Sequence, residues 1–268
     1  FEKLEAPSFP TYKIHGFFMH SSYGFSANKH ALKWSLNQQL QKKIVSAQLQ
    51  ITPIEKNTYA AQANECIQKS INAHGQTKKV ILVNLEFLNT THSVYRVLGK
   101  SLLALKQNYN LVGVAWPGYV HIGDDFFDDL LTLSTTGDMY CAQEIMDIAA
   151  AYQPIAVYYP ALGMSPWAIY HSNMRLAPVQ FAAIGHGASS FATEIDYFVI
   201  ESDIAGDHST YSEKVIAVKP GAMPFYPPND IHYPRRDNHW ADDAVLNIVC
   251  SASSMKLNYK LLQICQNV

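Results

Sequence analysis

The chain reads as an α/β protein built on a parallel sheet and led by a mostly helical segment. Three observations predict this. Up to about position 78, apolar residues recur at helical spacing, as in Ala31, Trp34, Leu36, Leu40, Ile44 and Val45. At Val80-Ile81-Leu82-Val83 the texture changes to a short branched run, the kind that fills a strand covered on both faces. Beyond it, strand-like and helix-like stretches alternate, which is the pattern of a parallel sheet with helices packed on it.

In order, the spacing predicts a helical segment over 1–78, then an α/β unit over 79–219. Within that unit it predicts helices over 93–108, 139–151 and 167–175. Strands are predicted over 80–83, 111–115, 154–158, 179–184 and 197–200. Pro220, Pro224, Pro227, Pro228 and Pro234 then fall in a stretch that no helix or strand interior tolerates, so 220–244 reads as a linker. A new strand over 245–250 and a helix over 256–265 read as the start of a second domain, 245–268. One strand and one helix cannot bury a core, so that domain is expected to be completed by further chain.

Of the 268 residues, 48% are hydrophobic and 16% charged, enough apolar surface for a sizeable core. The net charge of -2 and the lack of a Lys/Arg run set aside nucleic acid as a partner. No apolar run approaches the roughly 20 residues that a membrane span needs. Cys66, Cys141, Cys250 and Cys265 are scattered, with no C-x-x-C pair, which suits a reducing, cytoplasmic compartment. The first residues lack the apolar stretch of a signal peptide.

Several motifs bear on chemistry. Residues 185–190, Gly-His-Gly-Ala-Ser-Ser, follow a predicted strand and nearly fit a dinucleotide fingerprint. Too few residues precede the next strand for a crossover helix, so a nicotinamide site is disfavoured. The glycines either turn the chain or line a ligand loop at a strand end. Ser253-Ser254-Met255-Lys256 has the S-x-x-K spacing of serine acyl enzymes but no S-D-N or K-T-G partner. Lys256 is either a surface lysine or, at a strand-to-helix turn, a cation placed for a diphosphate. His92 sits in a similar turn and can move a proton near neutral pH, or is simply a polar loop residue. No metal site is implied: His15, His20, His30 and His121 lack ligand spacing, and D-x-D is absent. The pairs Asp124-Asp125, Asp128-Asp129 and Asp242-Asp243 read as solvated helix ends or loops.

Met174-Arg175-Leu176-Ala177-Pro178-Val179-Gln180 runs into Gly185-His186-Gly187, then Ile195-Asp196-Tyr197 and Tyr211-Ser212-Glu213-Lys214. This ordered set resembles the protein O-GlcNAc transferase superfamily. His92-Ser93-Val94-Tyr95-Arg96, Tyr159-Pro160-Ala161-Leu162-Gly163-Met164 and Ser253 to Asn258 are similar to its bacterial adhesin N-glucosyltransferase branch, as is Met19-His20-Ser21-Ser22-Tyr23 with Lys29-His30. Gly187 departs from the pattern, which has proline there.

The resemblance implies a GT-B enzyme with two Rossmann-like domains, of which 79–219 is the first, acceptor-side one and 245–268 the start of the nucleotide-sugar domain. It implies transfer of a hexose, glucose by analogy, from UDP-hexose to a protein side chain with inversion, asparagine being favoured, on a protein such as an adhesin. Lys256 would neutralise the diphosphate beside Ser253, His92 would line the sugar and acceptor side, and Gly163, Met164 and His186 would wall the cleft. No cofactor or metal is implied. The alternatives are a non-catalytic binding module of the same fold and a transferase acting on a glycan or small molecule. Because most of the nucleotide domain is expected to lie beyond position 268, isothermal titration of residues 1–268 with UDP should give weak binding or none; tight binding would contradict this domain count.

Overall fold

A computed structural model describes residues 13–24, 29–72, 75–90, 92–118, 120–121, 124–134, 141–226, 249 and 256–267. In chain order the elements are α1 (Ile14–Ser21), α2 (Ala31–Ser46), α3 (Ala60–Lys69), β1 (Lys79–Leu85), β2 (Leu88–Asn89), α4 (Ser93–Asn108), β3 (Tyr109–Ala115), β4 (Val120–His121), β5 (Asp129–Thr132), α5 (Ala142–Tyr152), β6 (Ala156–Tyr159), α6 (Pro166–His171), β7 (Val179–Ala183), β8 (Tyr197–Glu201), β9 (Lys214–Val218) and α7 (Tyr259–Gln266).

Among the described residues seven strands form one sheet in the order β5-β3-β1-β6-β7-β8-β9. Every pairing in it is parallel. The central strands are the continuous apolar runs of a sheet covered on both faces. Along β1 the side chains alternate between two cores. Val80 and Leu82 join the helices α1, α2, α5 and α6 on one face. Ile81, Val83 and Leu85 meet Val94, Leu98 and Leu102 of α4 on the other, a helical i, i+4, i+8 stripe.

The lead-in is helical as expected, and not all of the apolar residues of α2 that set its spacing are buried. Trp34 and Val45 point outward, 57% and 70% exposed, and the stripe Lys33, Leu36, Asn37 and Leu40 faces the core. Four strands, β2, β4, β5 and β9, were not anticipated. Asp128 is exposed and accepts from the Leu111 N–H at 2.8 Å, and half-buried Asp129, within β5 and not in a loop, accepts from the Tyr152 hydroxyl. No helix opens after β7; residues 184–196 carry the chain to parallel β8 as a loop, so residues 185–190 do not head a dinucleotide-binding helix.

The proline-rich stretch is described only to Tyr226, whose N–H donates to the Arg96 carbonyl at 2.6 Å and whose ring stacks on Tyr95. The strand read over 245–250, apart from Val249, and the pair Asp242-Asp243 lie outside the described residues. The helix read over 256–265 is α7, capped by Asn258, whose side chain accepts from the Leu261 N–H at 3.1 Å. Cys66 and Cys265 are free thiols, and Cys141 Sγ donates to the Ser134 carbonyl at 2.8 Å. Among the described residues no helix is long and apolar enough to cross a membrane.

Gly185 closes β7 against the loop after β6. Its N–H donates to the Pro160 carbonyl at 2.9 Å, and an added Cβ would lie 2.3 Å from that oxygen and 2.8 Å from Ala161 Cα. Both obstacles are backbone, so nothing can swing aside. Gly185→Ala should therefore destabilise the protein by more than about 3 kcal/mol, measured as a large drop in Tm or loss of soluble protein.

Candidate functional site

Strands β3 and β5 lie on one side of β1, and β6 to β9 on the other. The loops that leave β1 and β6 therefore part toward opposite faces of the sheet, α4 onto one and α6 onto the other. In open parallel sheets that divergence leaves a crevice at the carboxyl ends of the strands, where ligands bind.

Glu86, the residue after β1, spans the divergence. Its carboxylate is fully buried and accepts from the N–H of Gly163 at 3.0 Å and of Met164 at 2.6 Å, in the loop after β6. Burial pushes the carboxyl up to about 8, while the N–H groups of Gly163, Met164 and Ser165 pull it the other way.

Gly163 has φ +123°, a region open to glycine, and an added Cβ would come within 3.1 Å of both His186 and Phe18. It lets the imidazole close onto the backbone. His186, after β7, is 5% exposed, and its Nε2 lies 3.1 Å from Ser22 Oγ at the end of α1. Burial, followed by the charges of Lys33 and His30, holds it down to about 3, so the ring is neutral near pH 7.

His92 is the N-cap of α4. Its Nδ1 accepts from the Val94 N–H at 3.2 Å, and its ring stacks on Phe87, next to Glu86. Burial and the neighbouring Arg96 charge lower its proton affinity. With Nδ1 occupied, Nε2 is the atom left for proton chemistry. Lys256 reaches the same region from the far end of the chain: its ammonium lies 5.8 Å from the Tyr23 ring centroid, and Asn258 Nδ2 donates to the Tyr23 carbonyl at 3.4 Å.

The structure thus joins Gly163, Met164 and His186 directly through Glu86 and the close approach at Gly163. His92 connects to them through Phe87, and Lys256 through Tyr23, the neighbour of Ser22. Ser253 lies outside the described residues. Sequence reasoning missed Glu86, Ser22, Lys33 and Glu213. Glu86 carried a local signal, an acidic residue directly after a buried strand, and Ser22 and Glu213 lay within the motif stretches 19–23 and 211–214. Among the described residues no group of three His, Cys, Asp or Glu side chains is arranged to hold a metal ion.

No family model matches the chain. In sequence it is similar to the UDP-glucose:protein N-beta-glucosyltransferases of Actinobacillus pleuropneumoniae serotypes 5b and 7, each 28% identical over 258 residues. The match takes in 95% of this chain but 39% of either relative. In structure it is similar to a point-mutant form of the Thermobaculum terrenum O-GlcNAc transferase, with a TM-score of 0.52 and 14% identity. That alignment covers 82% of this chain and 40% of the other. The fold is of the O-GlcNAc transferase kind, a GT-B architecture, and the sequence relatives lie in the branch to which the motifs pointed.

If the Glu86 carboxyl holds its proton more tightly folded than unfolded, stability falls as pH rises from 4.5 toward about 8. Glu86→Gln is neutral throughout and removes that contribution. Tm measured from pH 5 to pH 8 should fall more steeply in the wild type than in the variant; equal slopes would mean that the N–H donors outweigh burial.

Proposed function

We propose that the chain is the front part of the catalytic core of an inverting, metal-independent glycosyltransferase. It moves a hexose, glucose by analogy with the sequence relatives, from UDP-hexose to a protein side chain. The observation that carries this reading is the meeting of His92, Gly163, Met164 and His186 where the sheet diverges, in a chain whose relatives are UDP-glucose:protein N-beta-glucosyltransferases.

In this reading an acceptor nitrogen or hydroxyl oxygen attacks the anomeric carbon opposite the diphosphate. The bond to the phosphate oxygen breaks, and the acceptor loses a proton. His92 borders the sugar and acceptor side with a neutral imidazole able to take a proton, while the buried His186 ring, held down to about 3, walls the cleft. Gly163 and Met164 wall the sugar. Lys256, with Ser253 beside it, offsets the charge gathering on the departing UDP, as fixed cations and helix N-termini can do without a metal. Asparagine as acceptor, an adhesin as its carrier, the absence of any cofactor and a cytoplasmic location belong to the same proposal.

The test is transfer of hexose from UDP-glucose to an acceptor protein by the full-length gene product. Lys256→Ala should lower turnover roughly 100-fold or more. Unchanged turnover would sink the diphosphate assignment. Labelling of a glycan rather than a protein would favour the other transferase reading, and absence of any transfer with retained UDP binding would favour the non-catalytic module.

A further inference from the structure

Lys33 and Glu213 are buried ionisable side chains, one on either side of Ser189-Ser190, that the transfer chemistry does not use; burial holds the Lys33 ammonium down to about 7, against the pull of the Glu213 charge. Lys33 on α2 is 0% exposed; its ammonium donates to the Ser189 carbonyl at 2.8 Å and lies 4.8 Å from the Phe18 ring centroid. Glu213, just before β9, is 5% exposed. It accepts from Ser189 Oγ at 2.7 Å, from the Ser190 N–H at 2.8 Å and from the Ser190 hydroxyl. Asn37, one turn after Lys33, donates to the Ser190 carbonyl at 3.0 Å. Two consecutive residues are thus gripped from α2 through their carbonyls and from Glu213 through their hydroxyls.

Taking two charges out of water to hold a turn costs more than apolar packing would. What this turn carries is His186, three residues before Ser189. The same Lys33 charge is among the causes that keep the His186 ring neutral. We propose that Lys33 and Glu213 are positioning residues that fix the His186 imidazole in the transfer site through their shared hold on Ser189. This rests on the reading of His186 as a residue of that site.

The experiment compares wild type, Lys33→Met, Glu213→Gln and the double variant of the full-length protein. It reads Tm, kcat and donor KM, and the imidazole 15N signals of His186, assigned by their loss in His186→Gln. Each single variant leaves a buried charge without its partner and should lose roughly 10 °C in Tm. The double variant has no buried charge and should recover most of that loss. Its kcat should nevertheless stay down roughly tenfold or more, with donor KM little changed, and the His186 signals should be displaced.

A double variant with wild-type kcat and unmoved His186 signals would overturn the positioning role and leave the transfer reading intact. An inactive wild type whose His186 signals still move in the double variant would sink the transfer reading while the hold on the turn stands. If the double variant does not fold, Ser189→Ala decides the point. It removes the hydroxyl that Glu213 grips, and it should displace the same signals; unmoved signals in this folded variant would reject the proposal.

Discussion

The Glu86 carboxylate joins two loops that the sheet topology drives apart, and everything proposed for this chain lies around that junction. A parallel sheet whose order reverses at its centre opens a gap at the strand ends. Left alone, the loops after β1 and β6 would each follow their own helix. Glu86 fixes their separation by accepting from both Gly163 and Met164. Gly163 then holds the conformation that admits His186, while the chain leading from Glu86 through Phe87 delivers His92 to the start of α4.

The helical lead-in is more than a cover for the sheet. Its buried face carries Lys33 and Asn37 among the leucines, and both spend their hydrogen bonds on the loop after β7. The end of α1 supplies Ser22 to His186 and Tyr23 to the segment before α7. Residues from both ends of the described chain therefore converge on the end of α1. Deep burial of polar groups of this kind trades stability for a single geometry, which suits a site more than a scaffold.

The parts of the fold that are buried on both sides were legible in the sequence, and the exposed or polar parts were not. β1 and α4 announce themselves by a continuous apolar run and by a helical stripe. β9 at the sheet edge is mostly exposed, and β5 has a single buried side chain, so neither had to write a clear pattern. Which face of α2 is buried was not legible, because hydrophobicity favours Trp34 and Val45 for the core and no propensity assigns a lysine there. His92 and His186 could be named because each sits at a strand end followed by a turn. Their partners could not, since Ser22 and Glu213 are set by contacts between residues more than a hundred or some tens of positions apart.

Tyr226 fastens the end of the described domain to the helix that His92 begins. Its N–H is bound to the carbonyl of Arg96, one turn into α4, its ring lies on Tyr95, and the space over Gly99 is filled by that ring. The chain that leaves this domain is thus anchored beside the imidazole and not at Pro220, where composition alone would set the joint. Mechanical load arriving along that tether is borne first by the opening turn of α4, so the histidine and the outgoing polypeptide share one lever.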